Sequence, residues 1–208
     1  MIAKDEINVT SLINKFGIIS DQVERNELVA LLQELIRAVE NEETIVEFGC
    51  YIGTTSVYIR RVLDLLGKNN TFHVYDSFEG LPQKKSQDIS PLGLQFKAGE
   101  LSVTKKQFIR EFYKAGLQLP VIHKGWFRDI LASDVPEKIS FAFLDGDYYE
   151  SVMTPLKLIE KKLAKRAVIV VDDYNNQSLP GAAKAVDEWC EKHGYSVRVS
   201  HSLAIIYT

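Results

Sequence analysis

Short apolar runs alternate with longer amphipathic stretches along this 208-residue chain. The apolar runs are rich in β-branched and aromatic residues, as buried strands are, and most are separated by stretches with apolar residues at helical spacing. A strand, a glycine turn, a helix and a second strand in succession form a right-handed βαβ unit with parallel strands. The alternation therefore predicts an α/β fold with a doubly wound, mostly parallel, seven-stranded sheet.

Five of the seven predicted strands are parallel, and the other two form a C-terminal hairpin. The parallel strands cover residues 44–49, 71–76, 119–124, 139–145 and 167–173. The segments YSVRVS and SLAIIYT are too close together for a crossover connection, so we expect an antiparallel hairpin. This arrangement would place one reversed strand at an edge of the sheet.

Capping and stop signals define the predicted helices. Asp21 is expected to cap a helix over residues 23–40, and Gly67 and Gly116 follow helices over 54–66 and 104–113. A helix over residues 149–163 contains Pro155, which we expect to break or restart it. A last helix covers residues 181–194.

The chain length favours one domain over residues 1–208, because single domains usually run to about 100–200 residues. Within it, residues 1–40 form a predicted N-terminal helical extension. Residues 80–103 are the least regular part of the chain. Long loops in compact domains are usually functional, so this segment is predicted to be a lid over the ligand.

The charge balance argues against some partners. A net charge of −3 gives no overall attraction for nucleic acid or an anionic membrane. No apolar run approaches the ~20 residues that span a bilayer, and the first residues lack the apolar core of a signal peptide. Cys50 and Cys190 have neither metal-ligand nor redox spacing. We expect a cytoplasmic protein with no nucleic-acid or membrane partner, and a homo-oligomer remains open.

Ligands of doubly wound sheets bind at the carboxyl ends of the strands. The first strand ends in a turn with Gly49 and Gly53, which lacks both the dinucleotide-binding spacing and a phosphate-binding lysine. The second strand ends at Asp76, where nucleoside-binding proteins of this class accept the ribose hydroxyls. The alternative for Asp76 is a turn cap.

Four aspartates lie at the ends of two later strands: Asp145, Asp147, Asp172 and Asp173. Like charges this close disfavour ionisation unless a cation neutralises them. Ligands that are all oxygen suit Mg²⁺, with Ca²⁺ and Mn²⁺ as alternatives. The competing interpretation is that these aspartates cap the helices that follow.

Five motifs in order along the chain resemble the macrocin O-methyltransferase family: EFGCYIGTTS, VYDSFEGLP, KGWFRDIL, LDGDYYES and VVDDY. They span residues 47–174, whereas the region before about residue 40 and the loop over 83–101 match poorly. The resemblance implies a Rossmann-like class I methyltransferase fold. It also implies a Mg²⁺-assisted enzyme that transfers a methyl group from S-adenosylmethionine to a sugar hydroxyl or another hydroxyl of a glycosylated small molecule.

The resemblance also implies roles for individual residues. The metal ligands would be Asp145, Asp172 and Asp173. In the similar catechol-type enzymes a lysine base follows the first metal aspartate, but Tyr148 stands there in this chain, so Asp145 is our first choice of base and Asp147 our second. The implied cofactor-binding residues are Glu47, Gly49, Tyr51, Gly53, Thr54, Ser56, Asp76, Ser77, Phe78, Trp126, Phe127 and Asp145.

Several other functions remain as alternatives. The nucleoside pocket could belong to a non-catalytic S-adenosylmethionine-binding protein, and the acceptor could be a catechol-like hydroxyl rather than a sugar. A metal-dependent hydrolase is disfavoured because no histidine lies in the acidic clusters. A nucleic-acid methyltransferase is disfavoured because an acidic cleft repels a polyanion.

Overall fold

The computed structural model describes residues 4–39, 43–93 and 96–208. Its centre is a seven-stranded sheet in the order β3-β2-β1-β4-β5-β7-β6. The first five strands are parallel to one another, and β7 is antiparallel to both of its neighbours. The strands are β1 (Thr44–Phe48), β2 (Phe72–Asp76), β3 (Val121–Lys124), β4 (Ile139–Leu144), β5 (Leu163–Val171), β6 (Val197–Ser200) and β7 (Leu203–Tyr207).

Helices cover both faces of the sheet, and this confirms the predicted α/β class. Apolar side chains of α2, α3 and α4 form one core with the strands, and those of α5 and α6 form a second core on the opposite face. None of the helices in the described ranges is both long and apolar enough to cross a membrane. The helices are α1 (Val9–Phe16), α2 (Arg25–Ala38), α3 (Thr54–Leu65), α4 (Lys105–Ala115), α5 (Tyr149–Ile159) and α6 (Pro180–His193).

The strand order reverses at β1, which pairs with β2 on one side and with β4 on the other. The strand β5 continues the sheet beyond β4, with Leu144 opposite Val171. The carboxyl ends of β1, β2, β4 and β5 consequently meet at one edge of the sheet. A ligand crevice is expected at such a reversal.

The predicted cap of the second helix is wrong. The helix α2 begins at Arg25 after Glu24, and the side chain of Glu24 makes no capping hydrogen bond. The carboxylate of Asp21 instead accepts a hydrogen bond from the side-chain amide of Gln22, at 3.2 Å. Asp21 lies in the segment between α1 and α2.

The predicted break at Pro155 is also wrong, because α5 runs through it as one helix. Proline lacks the N–H that would bond to the carbonyl of Ser151, a loss that costs about 3 kcal/mol in a helix interior. Burial of Val152, Leu156 and Ile159 against the sheet offsets that loss. The helix ends at Ile159 rather than at residue 163, because Leu163 already begins β5.

The C-terminal hairpin is present, but its reversed strand is not at the edge. The strand β7 lies between β5 and β6, so β6 takes the outer place. Burial explains the order: Leu203–Ile206 are four buried apolar residues, whereas Arg198 and Val199 of β6 are exposed. The more apolar strand occupies the interior position.

Residues 21–27 of the N-terminal segment and much of the 80–103 segment lie beside the carboxyl edge of the sheet. In the N-terminal segment, the hydroxyl of Tyr58 donates to the carbonyl of Gly17 and so fixes the end of α1. The 80–103 segment contains one short 3-10 turn, Ser86–Asp88, and is otherwise irregular where it is described. The lid function of this segment stays a prediction.

Candidate active site

A cleft of about 750 Å³ opens at the carboxyl ends of the central strands. Ligand pockets for small molecules and cofactors usually measure about 300–1,000 Å³, so a cofactor fits this cleft. We divide its wall into a glycine half, formed by Gly49, Cys50, Tyr51, Asp76, Trp126 and Phe127, and an acidic half, formed by Asp145, Asp147, Asp172 and Asp173.

Gly49 joins the two halves of the cleft. Its φ of +87° lies in the left-handed region that favours glycine. A Cβ atom at this position would overlap the backbone carbonyl of Asp145, because the ends of β1 and β4 approach closely here. Only glycine allows the turn after β1 to pass the end of β4 at this distance.

The carboxylate of Asp76 organises the turn after β1. One oxygen accepts hydrogen bonds from the backbone N–H groups of Cys50 (2.8 Å) and Tyr51 (3.2 Å), and the other accepts from that of Phe78 (2.7 Å). An ionised carboxylate has about four acceptor positions, so one remains for a ligand. Asp76 therefore acts as a turn cap, and it also lines the cleft.

Four of the predicted cofactor residues lie behind the cleft wall: Glu47, Gly53, Ser56 and Phe78. The hydroxyl of Ser56 donates to the buried carboxylate of Glu47. Burial is the main cause that raises the pKa of Glu47 to about 8. Gly53 lies against the ring of Phe108, where a Cβ atom would come within 2.8 Å, and Phe78 packs edge-on against the same ring. Direct cofactor contact by these four stays a prediction.

The wall beyond β3 is aromatic. Phe127 packs edge-on against Phe48, with ring centroids 5.5 Å apart, and the guanidinium of Arg128 lies 5.3 Å from the Trp126 ring. Predicted residues Tyr51, Thr54 and Ser77 also line the cleft. An aromatic wall next to Asp76 provides a surface on which a purine ring can stack.

The acidic half is formed by the turns after β4 and β5. Asp147 and Asp173 both have positive φ values, +61° and +58°, so these turns are tight. One oxygen of Asp172 accepts from the backbone N–H of Asp173 (2.8 Å) and from the hydroxyl of Ser202 (3.0 Å). Asp173 accepts from the side-chain amide of Asn176.

Charge repulsion is concentrated in the acidic half. Burial, and then the charges of Asp172, Asp147 and Asp173, hold the pKa of Asp145 well above its ordinary value. The pKa of Asp147 is raised by burial and then by Asp173 and Asp172. Burial and Asp173 raise the pKa of Asp172 to about 7. Carboxylates in this arrangement favour either a proton or a cation.

The donor set of the acidic half suits a hard divalent cation, because every candidate ligand is a carboxylate oxygen and the carboxylates repel one another. Their side chains are not gathered around one point: within residues 4–39, 43–93 and 96–208, no three His, Cys, Asp or Glu side chains are placed to hold one metal ion. The chemistry of these residues fits Mg²⁺, and binding it would require the side chains to converge.

The cleft wall includes residues that sequence reasoning missed. Asp21, Glu24 and Glu27 line it from the N-terminal segment, and Glu27 accepts a hydrogen bond from the backbone N–H of Ser202 at 3.2 Å. Asp88 of the 80–103 segment lines it as well and is only 2% exposed. No local motif marks these residues, because the fold brings them to the cleft from distant parts of the chain.

Comparison with known proteins gives a consistent picture. The family model described as Macrocin-O-methyltransferase (TylF) matches residues 21–202. A relative from Streptomyces olivaceus, an 8-demethyl-8-(2,3-dimethoxy-alpha-L-rhamnosyl)-tetracenomycin-C 4'-O-methyltransferase, is 28% identical over 75% of this chain and 61% of its own length. Mycinamicin III 3''-O-methyltransferase from Micromonospora griseorubida is 27% identical over 73% of this chain and 62% of its own length.

The chain thus spans about three fifths of the length of these two relatives. Among solved structures, the O-methyltransferase NovP superposes with a TM-score of 0.77 at 24% identity, covering 88% of this chain and 79% of NovP. At that identity the likeness shows the fold, and the fold agrees with the predicted one.

Proposed function

Since this chain belongs to the macrocin O-methyltransferase family, we propose that it is an S-adenosylmethionine-dependent, divalent-metal-assisted O-methyltransferase. Its acceptor would be a hydroxyl of a sugar or of a glycosylated small molecule. Both relatives carry names that describe O-methylation, and the name of the Streptomyces olivaceus relative specifies a rhamnosyl compound, which is the reason for choosing a sugar over a catechol.

The observation that carries the proposal is the joining of the two halves in one cleft. The turn at Gly49 touches the backbone of Asp145, so a cofactor held by the glycine half would have its reactive end close to the acidic half. Methyl transfer needs the donor carbon and the acceptor oxygen in line and close together. A purely cofactor-binding protein has no need for repelling carboxylates at that position.

The glycine half would hold the cofactor. The remaining acceptor position of Asp76 suits a ribose hydroxyl, and Trp126 and Phe127 suit the adenine ring. The turn from Gly49 to Tyr51 lets the methionine part approach the backbone. Thr54 lines the cleft and has a buried hydroxyl with no hydrogen-bond partner among the described residues, so it can bond to the same part of the cofactor.

The acidic half would prepare the acceptor. Asp145, Asp172 and Asp173 would hold a Mg²⁺ ion, which supplies Lewis-acid stabilisation of the developing alkoxide. The carboxylate of Asp145 is our first choice for accepting the hydroxyl proton, and Asp147 is the second. S-adenosylmethionine would supply the methyl group and would be left as a neutral thioether, and the carboxylate would hold the proton of the hydroxyl.

The test combines binding with turnover. Isothermal titration with S-adenosylhomocysteine should show binding with and without Mg²⁺. Labelled S-adenosylmethionine is then offered with methyl α-L-rhamnopyranoside, with other methyl glycosides and with catechol. Transfer to a glycoside in the presence of Mg²⁺ supports the proposal. Transfer to catechol alone, or binding without transfer to any acceptor, would favour one of the two alternative functions.

A further inference from the structure

Asp88 is a buried carboxylate in an otherwise irregular segment, and the mechanism above gives it no role. It lies at the end of the 3-10 turn Ser86–Asp88 and is only 2% exposed. Buried carboxylates are rare unless they are hydrogen-bonded, so its partners indicate what it does. One oxygen accepts from the backbone N–H of Tyr149 at 2.7 Å, and the other accepts from that of Lys85 at 3.1 Å.

The bond to Tyr149 replaces a missing helix cap. Tyr149 is the first residue of α5, and the N-cap residue, Tyr148, offers no side-chain acceptor to the first turn. The N–H groups at a helix start need acceptors, and a negative charge is favourable there. The carboxylate of Asp88, 61 residues away in sequence, supplies the acceptor and the acidic group at this helix start.

Gly181 provides independent evidence for this junction. It lies in the first turn of α6, where glycine is less favourable than alanine. A Cβ atom at position 181 would overlap Oδ1 of Asp88 and lie 2.7 Å from the backbone nitrogen of Tyr149. The first turns of α5 and α6 and the Asp88 carboxylate therefore meet at one point that leaves no room for a larger side chain.

The same junction fixes the turn that carries Asp147. Asp147 has a left-handed backbone conformation, and the N–H of Tyr148 donates to the carbonyl of Gly146 at 2.6 Å. This turn runs directly from the end of β4 into the first N–H of α5. Holding that N–H therefore holds the far end of the turn.

We propose that Asp88 is a positioning residue that sets the place of Asp147 in the acidic half through the backbone N–H of Tyr149. The inference rests on the proposed function, because it treats Asp147 as part of the reacting site. It also makes the 80–103 segment part of the reacting geometry, since that segment contributes the carboxylate that holds the turn.

Four variants test this role with methyl α-L-rhamnopyranoside as acceptor and Mg²⁺ present. Asp88→Ala should lower kcat by roughly 10- to 100-fold, because small displacements of reacting groups have effects of that size. The KM for S-adenosylmethionine and the Kd of S-adenosylhomocysteine should stay nearly constant. Gly181→Ala should lower kcat in the same way, and Asp88→Asn, which keeps an acceptor for the Tyr149 N–H, should recover most of it.

Ser90→Ala is the matched control. Its hydroxyl donates to the carbonyl of Gln177 at 2.9 Å. The change therefore removes a hydrogen bond of the same segment that does not involve α5. If Asp88 only stabilises the fold, Asp88→Ala and Ser90→Ala should lower the melting temperature and kcat in parallel, and Asp88→Asn should give no specific recovery. That result would overturn the proposal.

Hydrogen exchange separates this inference from the proposed function. In the Asp88→Ala protein, the amide of Tyr149 and the peptide over residues 145–152 should exchange faster than in the wild type, and in Ser90→Ala they should not. If the wild type methylates none of the glycosides, the proposed function fails, and this exchange experiment still decides whether Asp88 holds the turn. Unchanged exchange in Asp88→Ala would refute the positioning role.

Discussion

The glycine half of the cleft is held together by backbone groups, whereas the acidic half presents side chains that repel one another. In the first, the carboxylate of Asp76 receives three backbone N–H groups. In the second, burial and mutual repulsion raise the pKa values of Asp145, Asp147 and Asp172. The comparison teaches that backbone groups of the protein stabilise the glycine half, whereas the acidic half keeps a repulsion that a proton or a cation would relieve.

Removing the metal should give the largest expected effect, because it should impair the acidic half and leave cofactor binding by the glycine half intact. Excess EDTA, or Asp172→Asn, should reduce methyl transfer by roughly 1,000-fold, since Lewis-acid stabilisation is worth several kcal/mol. Titration with S-adenosylhomocysteine should change little, because the glycine half needs no cation. Full activity in EDTA would show that these aspartates are caps, and loss of cofactor binding would show that the halves are not independent.

The junction between the halves should be the next most sensitive place. Gly49→Ala adds backbone strain of about 1–2 kcal/mol and overpacking of about 1–3 kcal/mol, so urea unfolding should show a loss of about 2–5 kcal/mol. Gly116→Ala is the matched control, because its φ is also positive but a Cβ atom there meets no atom within 4 Å. Equal losses for the two variants would mean that the contact with Asp145 is unimportant.

Asp76→Ala tests the glycine half directly. A hydrogen bond to a charged group is worth about 1.5–3 kcal/mol, so affinity for S-adenosylhomocysteine should fall by about 10-fold or more. The variant also leaves the N–H groups of Cys50 and Tyr51 without their acceptor, which loosens the turn. Glu79→Ala changes an exposed carboxylate three residues away and should leave the titration curve unaltered. Unchanged binding by Asp76→Ala would remove Asp76 from the cofactor site.

The smallest expected effect lies outside the cleft wall, between β2 and β3, where Nδ1 of His73 and Nε2 of His123 are 3.0 Å apart. Burial and then His123 lower the pKa of His73 from 6.5 to about 4. Burial also lowers the pKa of His123. The charge of Asp134 raises this pKa and that of Lys105 lowers it, and the net shift is downward. The unfolded chain thus binds protons more readily, so the stability contributed here is complete above about pH 6.5 and decreases towards pH 4.

The contribution of the histidine pair should fall by an amount on the order of 1 kcal/mol between pH 7 and pH 5. The raised pKa values of Glu47 and Asp172 act in the opposite direction over this range, so the quantity to measure is the difference between wild type and His73→Gln. His73→Gln keeps a hydrogen-bonding side chain without this titration, and its stability should rise relative to that of the wild type as the pH is lowered in unfolding experiments. Parallel curves for the two proteins would contradict the role of the histidine pair.

Much of the fold could be predicted because its signals are local. The residues of β1 and β4 are almost all buried, so most of them are apolar and the strands are easy to recognise. Parallel strands end at the same edge of the sheet, which is why the sequence alone predicts that the aspartates after β4 and β5 lie close together, and they do line one cleft. The family resemblance added the roles of individual residues.

The features that could not be predicted from the sequence depend on contacts between distant parts of the chain. Nothing near Asp88 indicates that its partner is Tyr149, and nothing near Gly181 shows why a glycine stands in a helix there. The place of β7 follows from a competition between two strands for an interior position, which requires comparing their burial in three dimensions. Sequence patterns describe each element by itself and cannot rank such competitors.

The interior position of β7 also determines the order in which the sheet can be completed during synthesis. Until residues 203–207 have left the ribosome, the apolar edge of β5 has no neighbour, and an open edge of this kind invites pairing with other chains. The acidic half is also incomplete until then. The hydroxyl of Ser202 donates to Asp172, and Ser202 directly precedes β7. A nascent chain of this protein is therefore vulnerable to aggregation until the hairpin closes, and Asp172 gains its hydrogen bond from Ser202 only at that stage.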